Sequence, residues 1–317
     1  MKKRKLKKKF RQTLYIAIGI ILLSTFLLFF IKNKIYKNSI DYKLLEKGYT
    51  EKEINVFKNN LDGDYLIKLT NEEKNNDIYK FVKSKYYLKK NLDEYLAYQG
   101  LHKELEVNKI ISLVNTKANN KWYDESIVKP ADLSKGYLTL VNKFNYLEKN
   151  YEPVNVMNIS LTYAYEGKRI IKTVNDAFIT MAKDAKKEGA TLIVTSGYRT
   201  YEEQKILFTN YSKKGETYAE GISAHAGYSE HQLGLALDIV GLNINMSEFE
   251  NSLEFSWLKE NAYKYGFILR YHKDKTDITG YNYESWHYRY VGVDVAKVIY
   301  ESDITFDEYY AFYVEDK

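Results

Sequence analysis

The segment Ser229-Glu-His-Gln-Leu-Gly-Leu-Ala-Leu-Asp238 decides how this chain is interpreted, together with Glu284-Ser-Trp-His287 further along. Among the apolar residues of the two segments lie two histidines, His231 and His287, and the carboxylates of Asp238 and Glu284. A catalytic zinc ion takes three protein ligands of the His and Asp/Glu type and leaves a fourth position to water. It also works with a carboxylate that stays off the metal and accepts a proton. We therefore predict that His231, Asp238 and His287 bind a metal and that Glu284 is the general base.

The local pattern predicts a buried strand over residues 233–240. Leucines at 233, 235 and 237 share one face, and Gly234, Ala236 and Asp238 share the other, where the two side chains before Asp238 are small. Those small side chains leave space that a metal and its substrate can occupy. Residues 286–291 also alternate as a strand, so Glu284 and His287 reach one metal only if the chain turns near Ser285.

Each of these residues has a simpler explanation when it is taken alone. A carboxylate in an apolar strand costs several kcal/mol unless it is paired or ligated, and a salt bridge from Asp238 to Arg199 or Arg270 satisfies that need. A histidine beside a tryptophan is more often a hydrogen-bonded residue than a ligand. The four residues together favour the metal site, because the simpler explanation must then hold for each of them separately.

Three ordered motifs resemble the VanY-like D-alanyl-D-alanine carboxypeptidases, zinc peptidases that trim the stem peptides of bacterial peptidoglycan. The resemblance covers residues 140–300. Its motifs are Thr195-Ser-Gly-Tyr-Arg199, Gly227-Tyr-Ser-Glu-His231 with Gly234 and Asp238, and Glu284-x-Trp-His287.

The resemblance implies a role for individual residues. One catalytic Zn²⁺ is bound by His231, Asp238 and His287. Glu284 is the general base, and Arg199 polarises the scissile carbonyl or holds the oxyanion. The implied substrate contacts are Gln204, Ser229 and Trp286. One departure is Ala226, where the family usually has proline; without that ring we expect the loop before His231 to be somewhat more mobile.

The N-terminus predicts a membrane anchor. Residues 1–12 carry eight Lys or Arg and no acid, and Thr13–Ile31 then runs nineteen residues without a charge, which is long enough to span a bilayer. No cleavage site of small residues follows, so an uncleaved anchor is favoured over a signal peptide. The basic tail predicts a single-pass protein with a cytoplasmic N-terminus and an extracellular catalytic domain.

The charge balance excludes a nucleic-acid-binding protein. The chain has 48 Lys and Arg against 42 Asp and Glu, a net charge of +6, but eight of the basic residues lie in the N-terminal tail. The remaining 40 basic residues leave a balance of −2, so no nucleic-acid partner is expected. The absence of cysteine from the sequence excludes a disulfide framework and a Cys-based zinc site.

The 317 residues predict a cytoplasmic tail (1–12), a transmembrane anchor (13–31), a helical spacer (32–109) and a zinc carboxypeptidase domain (110–317). In the spacer, Thr50–Glu53 and Thr70–Glu73 have the pattern of capping boxes, which start helices. A spacer that lifts the enzyme from the membrane is the favoured interpretation, and a module that binds the wall or a partner is the alternative.

The fold class predicted for the catalytic part is α+β, with a central antiparallel sheet flanked by helices. Helices are predicted over 172–187, 201–211, 255–265, 293–300 and 306–312. Strands are predicted over 110–114, 191–195, 233–240, 267–270 and 286–291.

The sequence therefore predicts a membrane-anchored zinc D,D-carboxypeptidase that removes the terminal D-Ala from peptidoglycan stem peptides. The motifs do not separate this activity from an L,D-carboxypeptidase or a D,D-dipeptidase acting on the same peptides. A hypothesis of another class is a non-catalytic cell-wall-binding protein. The implied partners are the stem peptides and the membrane, and no obligate protein partner is implied.

Overall fold

The computed structural model describes residues 2–315, with side chains from residue 7 onward. The chain divides into two compact units, Met1–Leu96 and Ala97–Lys317. We describe each unit by itself. The predicted division of the chain at 109/110 into spacer and enzyme remains a prediction.

The first unit is helical. Its first helix is long and apolar enough over Lys7–Lys37 to cross a membrane, and its apolar side chains are exposed. The short helices that follow bury Leu44, Phe57, Leu69, Phe81 and Tyr95. In order, the helices are α1 (Lys2–Lys37), α2 (Ile40–Glu46), α3 (Glu51–Asn60), α4 (Gly63–Asn71), α5 (Asn76–Val82), a 3₁₀ turn (Lys89–Asn91) and α6 (Leu92–Leu101), within which the unit ends.

The second unit combines helices with short strands. Its helices are α7 (Val107–Asn115), α8 (Lys172–Lys187), α9 (Tyr201–Ser212), α10 (Glu216–Ile222), α11 (Met246–Phe249), α12 (Leu253–Asn261), α13 (Thr276–Thr279), α14 (Val293–Ser302) and α15 (Phe306–Tyr313). Its 3₁₀ helices are Leu133–Leu138, Glu230–Leu233 and Ala262–Tyr265. Its strands are β1 (Lys129–Pro130), β2 (Asn145–Tyr146), β3 (Val156–Asn158), β4 (Arg169–Ile171), β5 (Leu192–Ser196), β6 (Ala236–Gly241), β7 (Phe267–Leu269) and β8 (His287–Tyr290).

A four-stranded antiparallel sheet in the order β5-β6-β8-β7 carries the site residues. Leu237 of β6 pairs with Tyr288 of β8, and both belong to the hydrophobic core. The next pair along, Asp238 and His287, therefore faces the other side of the sheet, because successive side chains in a strand alternate. A bulge in β5 between Val194 and Ser196 bends the chain where it leaves the sheet toward Arg199.

The predicted mixture of helices and strands is confirmed. The prediction of one central sheet is confirmed only in part. Two further two-stranded sheets, β1-β2 and β3-β4, lie outside the four-stranded one. The predicted helix over 172–187 is α8, whose buried stripe of Val174, Phe178 and Met181 packs in the core. The capping boxes at Thr50 and Thr200 are present at the starts of α3 and α9.

Three local predictions are wrong. Residues 110–114 are helical in α7, because their apolar side chains recur at helical spacing and are buried on one face. Thr70 lies inside α4 rather than capping a helix. The strand predicted from 233 begins only at Ala236, because Glu230–Leu233 form a 3₁₀ turn that ends at Gly234 in the left-handed region (φ 67°). Gly234 therefore does not share a strand face with Asp238.

Candidate active site

Three predicted ligands lie together on one face of the sheet. His231, Asp238 and His287 are buried, and each offers one ligand atom within 4.8 Å of the others. His231 Nε2 lies 3.5 Å from Asp238 Oδ2, and His287 Nδ1 lies 3.2 Å from Asp238 Oδ1. The cross-strand pairing of β6 with β8 brings Asp238 and His287 together, while the 3₁₀ turn before β6 supplies His231.

Each histidine is oriented by a contact at the ring nitrogen that points away from the cluster. His231 Nδ1 lies 2.7 Å from the carbonyl oxygen of Gly197, so its N–H donates there and Nε2 is left for a ligand role. Burial and the charge of Arg199 lower the pKa of His231, which favours the neutral imidazole. His287 Nε2 lies 3.5 Å from Glu230 Oε2, so its Nδ1 faces the cluster.

The donor set fits zinc. Two imidazole nitrogens and one carboxylate oxygen are the ligand types of catalytic zinc sites. Within the described residues, Asp238 Oδ1 is a buried oxygen that makes no hydrogen bond of good geometry. Burial lowers the pKa of His287, but the nearby carboxylates of Asp238 and Glu230 raise it overall to about 9. The raised pKa of His287 means that we expect metal binding here to compete with a proton.

Glu284 lies beside the ligands without belonging to their group. Its Oε2 is 3.6 Å from His287 Nδ1, because the chain turns at Ser285 and Trp286 and the N–H of His287 donates to the carbonyl of Glu284. Burial raises the pKa of Glu284 to about 8, against the lowering effect of His287 and Arg199. A carboxylate placed in this way is suited to proton transfer at the cluster.

Arg199 and the cluster line one cleft of about 310 Å³. Arg199 is half-buried, and in the part of the chain that the structure describes its Nε makes no hydrogen bond. Its backbone N–H donates to the carbonyl of His231 at 3.2 Å. This hydrogen bond links the segment after β5 to the 3₁₀ turn Glu230–Leu233, which we call the ligand turn. The cleft therefore contains both a cationic donor and the predicted general base.

The three predicted substrate contacts also line the cleft. Gln204 on α9 donates to Ser223 Oγ and to the carbonyl of Ala224, while its Oε1 is a buried acceptor that finds no partner among residues 2–315. The hydroxyl of Ser229 accepts from the N–H of His231 at 3.4 Å and so caps the ligand turn. Trp286 is half-buried at the cleft wall. Their roles as substrate contacts remain predictions.

A buried carboxylate at the site was not predicted. Glu230 is 1% exposed, and its Oε1 accepts from Arg270 Nε at 2.8 Å and from Arg289 Nη1 at 2.9 Å. Burial raises the pKa of Glu230, but the charges of the two arginines outweigh it and hold the pKa well below its usual range. Arg270 therefore pairs with Glu230 rather than with Asp238. An acid between Ser229 and His231 in an otherwise buried turn was the available signal, because such an acid needs a partner.

Gly197 supports the site through close backbone approach, which gives a testable prediction. A Cβ at this position collides with the carbonyl oxygen of Arg169. We expect Gly197→Ala to destabilise the protein by about 1–3 kcal/mol and to weaken zinc binding, because the Gly197 carbonyl orients His231. Thermal unfolding and zinc titration check both effects.

Gly100→Ala is the matched control for that variant. Gly100 lies in α6, and a Cβ there meets no atom within 4 Å. We expect this change to leave zinc affinity unaltered. Equal zinc affinity in Gly197→Ala and the control contradicts the role of the Gly197 carbonyl.

The known proteins to which this chain is similar in sequence are named as carboxypeptidases. The family model for VanY, D-alanyl-D-alanine carboxypeptidase, matches residues 167–293. A putative carboxypeptidase, YodJ of Bacillus subtilis, is 45% identical over 195 residues, which are 59% of this chain and 70% of that protein. The bifunctional D-Ala-D-Ala dipeptidase and carboxypeptidase VanXYC of Enterococcus gallinarum is 33% identical over 55% of this chain and 94% of its own.

Among solved structures, the LdcB LD-carboxypeptidase is 42% identical, with a TM-score of 0.55 over 61% of this chain and 94% of that one. The matched segment of the family model contains the ligand turn, both central strands and the Glu284–His287 turn. The chain belongs to the VanY family of D-alanyl-D-alanine carboxypeptidases.

Proposed function

We propose that this protein is a membrane-anchored zinc D,D-carboxypeptidase that removes the terminal D-Ala from peptidoglycan stem peptides. The observation that carries the proposal is the cluster of His231, Asp238 and His287 beside Glu284 in one cleft, in a chain of the VanY family. The enzyme is a zinc metallo-carboxypeptidase, and its cofactor is one catalytic zinc ion.

Separate residues of the chain bind the metal, transfer the proton and stabilise the oxyanion. His231, Asp238 and His287 hold the zinc ion, which when bound supplies Lewis acidity to the attacking water and the scissile carbonyl. Glu284 takes the proton of the attacking water and passes it to the leaving amine of D-Ala. Arg199 donates to the oxygen of the scissile carbonyl as negative charge develops there.

The cleft is suited to a substrate that ends in a carboxylate. Helix α9 begins two residues after Arg199, and a capping box from Thr200 to Glu203 defines its start. The N-terminus of a helix carries partial positive charge and free N–H groups. This helix start favours a substrate that ends in a carboxylate, such as the C-terminus of a stem peptide, over an internal peptide bond.

The N-terminal helix supports a location at the bacterial cell membrane. Helix α1 contains the uncharged run 13–31 with a basic tail before it. We infer a single-pass protein with a cytoplasmic N-terminus and an extracellular enzyme, because positive charge is retained on the cytoplasmic side. Residues 32–109 then act as a spacer between the membrane and the enzyme at 110–317.

Two related activities are supported by specific relatives. The 42% identity to the LdcB LD-carboxypeptidase favours cleavage of the L,D bond of a tetrapeptide stem as the second candidate. The match to VanXYC favours release of a D,D-dipeptide as the third. A non-catalytic wall-binding protein is disfavoured, because the three ligands, Glu284 and Arg199 all line one cleft.

The test is peptide hydrolysis by the full chain in detergent, followed by mass spectrometry. We expect a pentapeptide ending in D-Ala-D-Ala to lose one alanine, and we expect a chelator to stop this loss and added zinc to restore it. Loss of a dipeptide instead assigns the dipeptidase activity. An inert pentapeptide beside a cleaved tetrapeptide assigns the L,D activity. If neither peptide is cleaved while zinc is bound, the proposed function is wrong.

A further inference from the structure

We infer that Glu230 is a positioning residue for the metal ligand His287. We also infer that Asp307 of the C-terminal helix α15 holds the Glu230 side chain in place through Arg270. The inference rests on the proposed metal-binding role of His287. It extends the functional site to a helix that lies outside the segment matched by the family model, residues 167–293.

The contacts form a continuous chain from the site to α15. Glu230 Oε2 lies 3.5 Å from His287 Nε2, the ring nitrogen that faces away from Asp238. Arg270 donates from Nε to Glu230 Oε1 at 2.8 Å and from Nη1 to Asp307 Oδ2 at 2.5 Å. Asn142 then donates to Asp307 Oδ1 at 2.8 Å.

Arg289 fixes the same carboxylate from β8. Its Nη1 donates to Glu230 Oε1 at 2.9 Å, and its Nη2 donates to the backbone carbonyls of Tyr137 and Thr139. Arg289 lies two residues beyond His287 on the same face of the strand. Glu230 is therefore held by two guanidinium groups and keeps Oε2 for the histidine.

Because the cluster is buried, the contacts with Arg270 and Arg289 fix the position of the Glu230 carboxylate. The side chains of Glu230, Arg270, Arg289 and Asp307 are each 2% exposed or less. Two negative and two positive groups balance within the cluster, so removal of one charge leaves another buried without its partner. Such a cluster has few alternative arrangements, which suits it to hold one ring orientation.

The chemistry of the contact explains why the orientation matters. A metal-binding histidine usually donates its other N–H to a carboxylate or carbonyl, which fixes both tautomer and ring plane. Glu230 gives His287 that acceptor, as the Gly197 carbonyl does for His231. Loss of such a partner in metal sites typically costs about 10–100-fold in metal affinity or activity.

Zinc affinity of the full chain in detergent, measured by competition with a chromophoric chelator, tests the inference without substrate. We expect Glu230→Gln and Glu230→Asp to weaken zinc binding by about 10–100-fold. Glu230→Asp keeps the charge that the arginines need but shortens the reach to His287. Asp307→Asn should weaken binding by less, because Glu230 keeps both arginine contacts. Cobalt substituted for zinc reports a changed ligand geometry through its visible absorption.

Glu308→Gln is the matched control. Glu308 is a buried acid on the same helix, but it forms the capping box of α15 with Thr305 and accepts from Ser112, and within residues 2–315 it makes no hydrogen bond with Glu230. We expect the zinc affinity of Glu308→Gln to equal that of the unmodified protein, even if the variant is less stable.

Wild-type zinc affinity in a folded Glu230 variant overturns the inference. If neither Glu230 variant folds, Asp307→Asn decides: an affinity equal to that of Glu308→Gln overturns it, and a weaker affinity supports it. Because the readout is metal binding, a wrong assignment of the peptide substrate leaves this result unaffected.

Discussion

We expect Glu284→Gln to lower kcat by about 10²- to 10⁴-fold on the cleaved stem peptide while zinc remains bound. Glu284 lies 3.6 Å from His287 Nδ1 but outside the group of three ligands, so the amide removes the proton acceptor without removing a ligand. Stopped-time product assays on zinc-loaded protein, with the metal content measured on the same sample, check both parts of the expectation.

The pH profile gives a second measurement of the same residue. Burial raises the pKa of Glu284 to about 8, whereas a cation bound nearby shifts it down. The carboxylate must be deprotonated to act as a base, so kcat/KM of the unmodified enzyme should rise with pH through the pKa of Glu284. That rise should be absent from the residual activity of Glu284→Gln.

Glu202→Gln is the control for these experiments, because Glu202 is an exposed acid of α9 paired with Lys149. We expect it to keep normal turnover. Near-normal kcat in zinc-loaded Glu284→Gln shows that the proposed base is wrong.

We expect Arg199→Ala to lower kcat and kcat/KM together by about 10²- to 10³-fold. The guanidinium lines the cleft with an unpaired Nε among the described residues, and its proposed partner is the carbonyl oxygen as charge develops. An interaction made mainly in the transition state lowers both constants, whereas one made equally to the bound substrate raises KM alone. Steady-state kinetics with measured zinc content separates the two.

Two further variants sharpen that experiment. Arg199→Lys keeps a positive charge but loses the planar pair of donors, so we expect an intermediate loss. Arg169→Ala removes a part-exposed guanidinium paired with Glu203 and should leave kcat unchanged. A rise in KM with unchanged kcat in Arg199→Ala assigns Arg199 to substrate binding and contradicts the proposed role at the oxyanion.

Local patterns predicted five helices of the second unit, namely α8, α9, α12, α14 and α15. Helix α8 begins and ends at the predicted residues because its apolar stripe has a period that fits only a helix and Gly189 follows its last turn. The capping box at Thr200 fixed the start of α9. The clustering of His231, Asp238 and His287 could be predicted because histidines and an acid within apolar segments need polar partners or a metal ion.

Short apolar runs and distant pairings could not be predicted in this way. Residues 110–114 suit a strand or a buried helix equally by composition, and packing decided for α7. The alternation of leucines with small residues hid the turn at Gly234, which depends on a positive φ. Glu230 was missed because its partners, Arg270 and Arg289, are about 40 and 59 residues away.

The pairing of Asp238 with His287 across β6 and β8 has a consequence for how the protein matures. Side chains in a strand alternate, so sliding β8 by one position against β6 turns one of the two residues into the core and breaks the metal site. We therefore expect only the native alignment to bind the ion, and ligand binding to the native state stabilises that state alone. Zinc binding thus selects the native strand register. A molecule in which β6 and β8 pair in a shifted register lacks the zinc site and is therefore inactive on peptidoglycan.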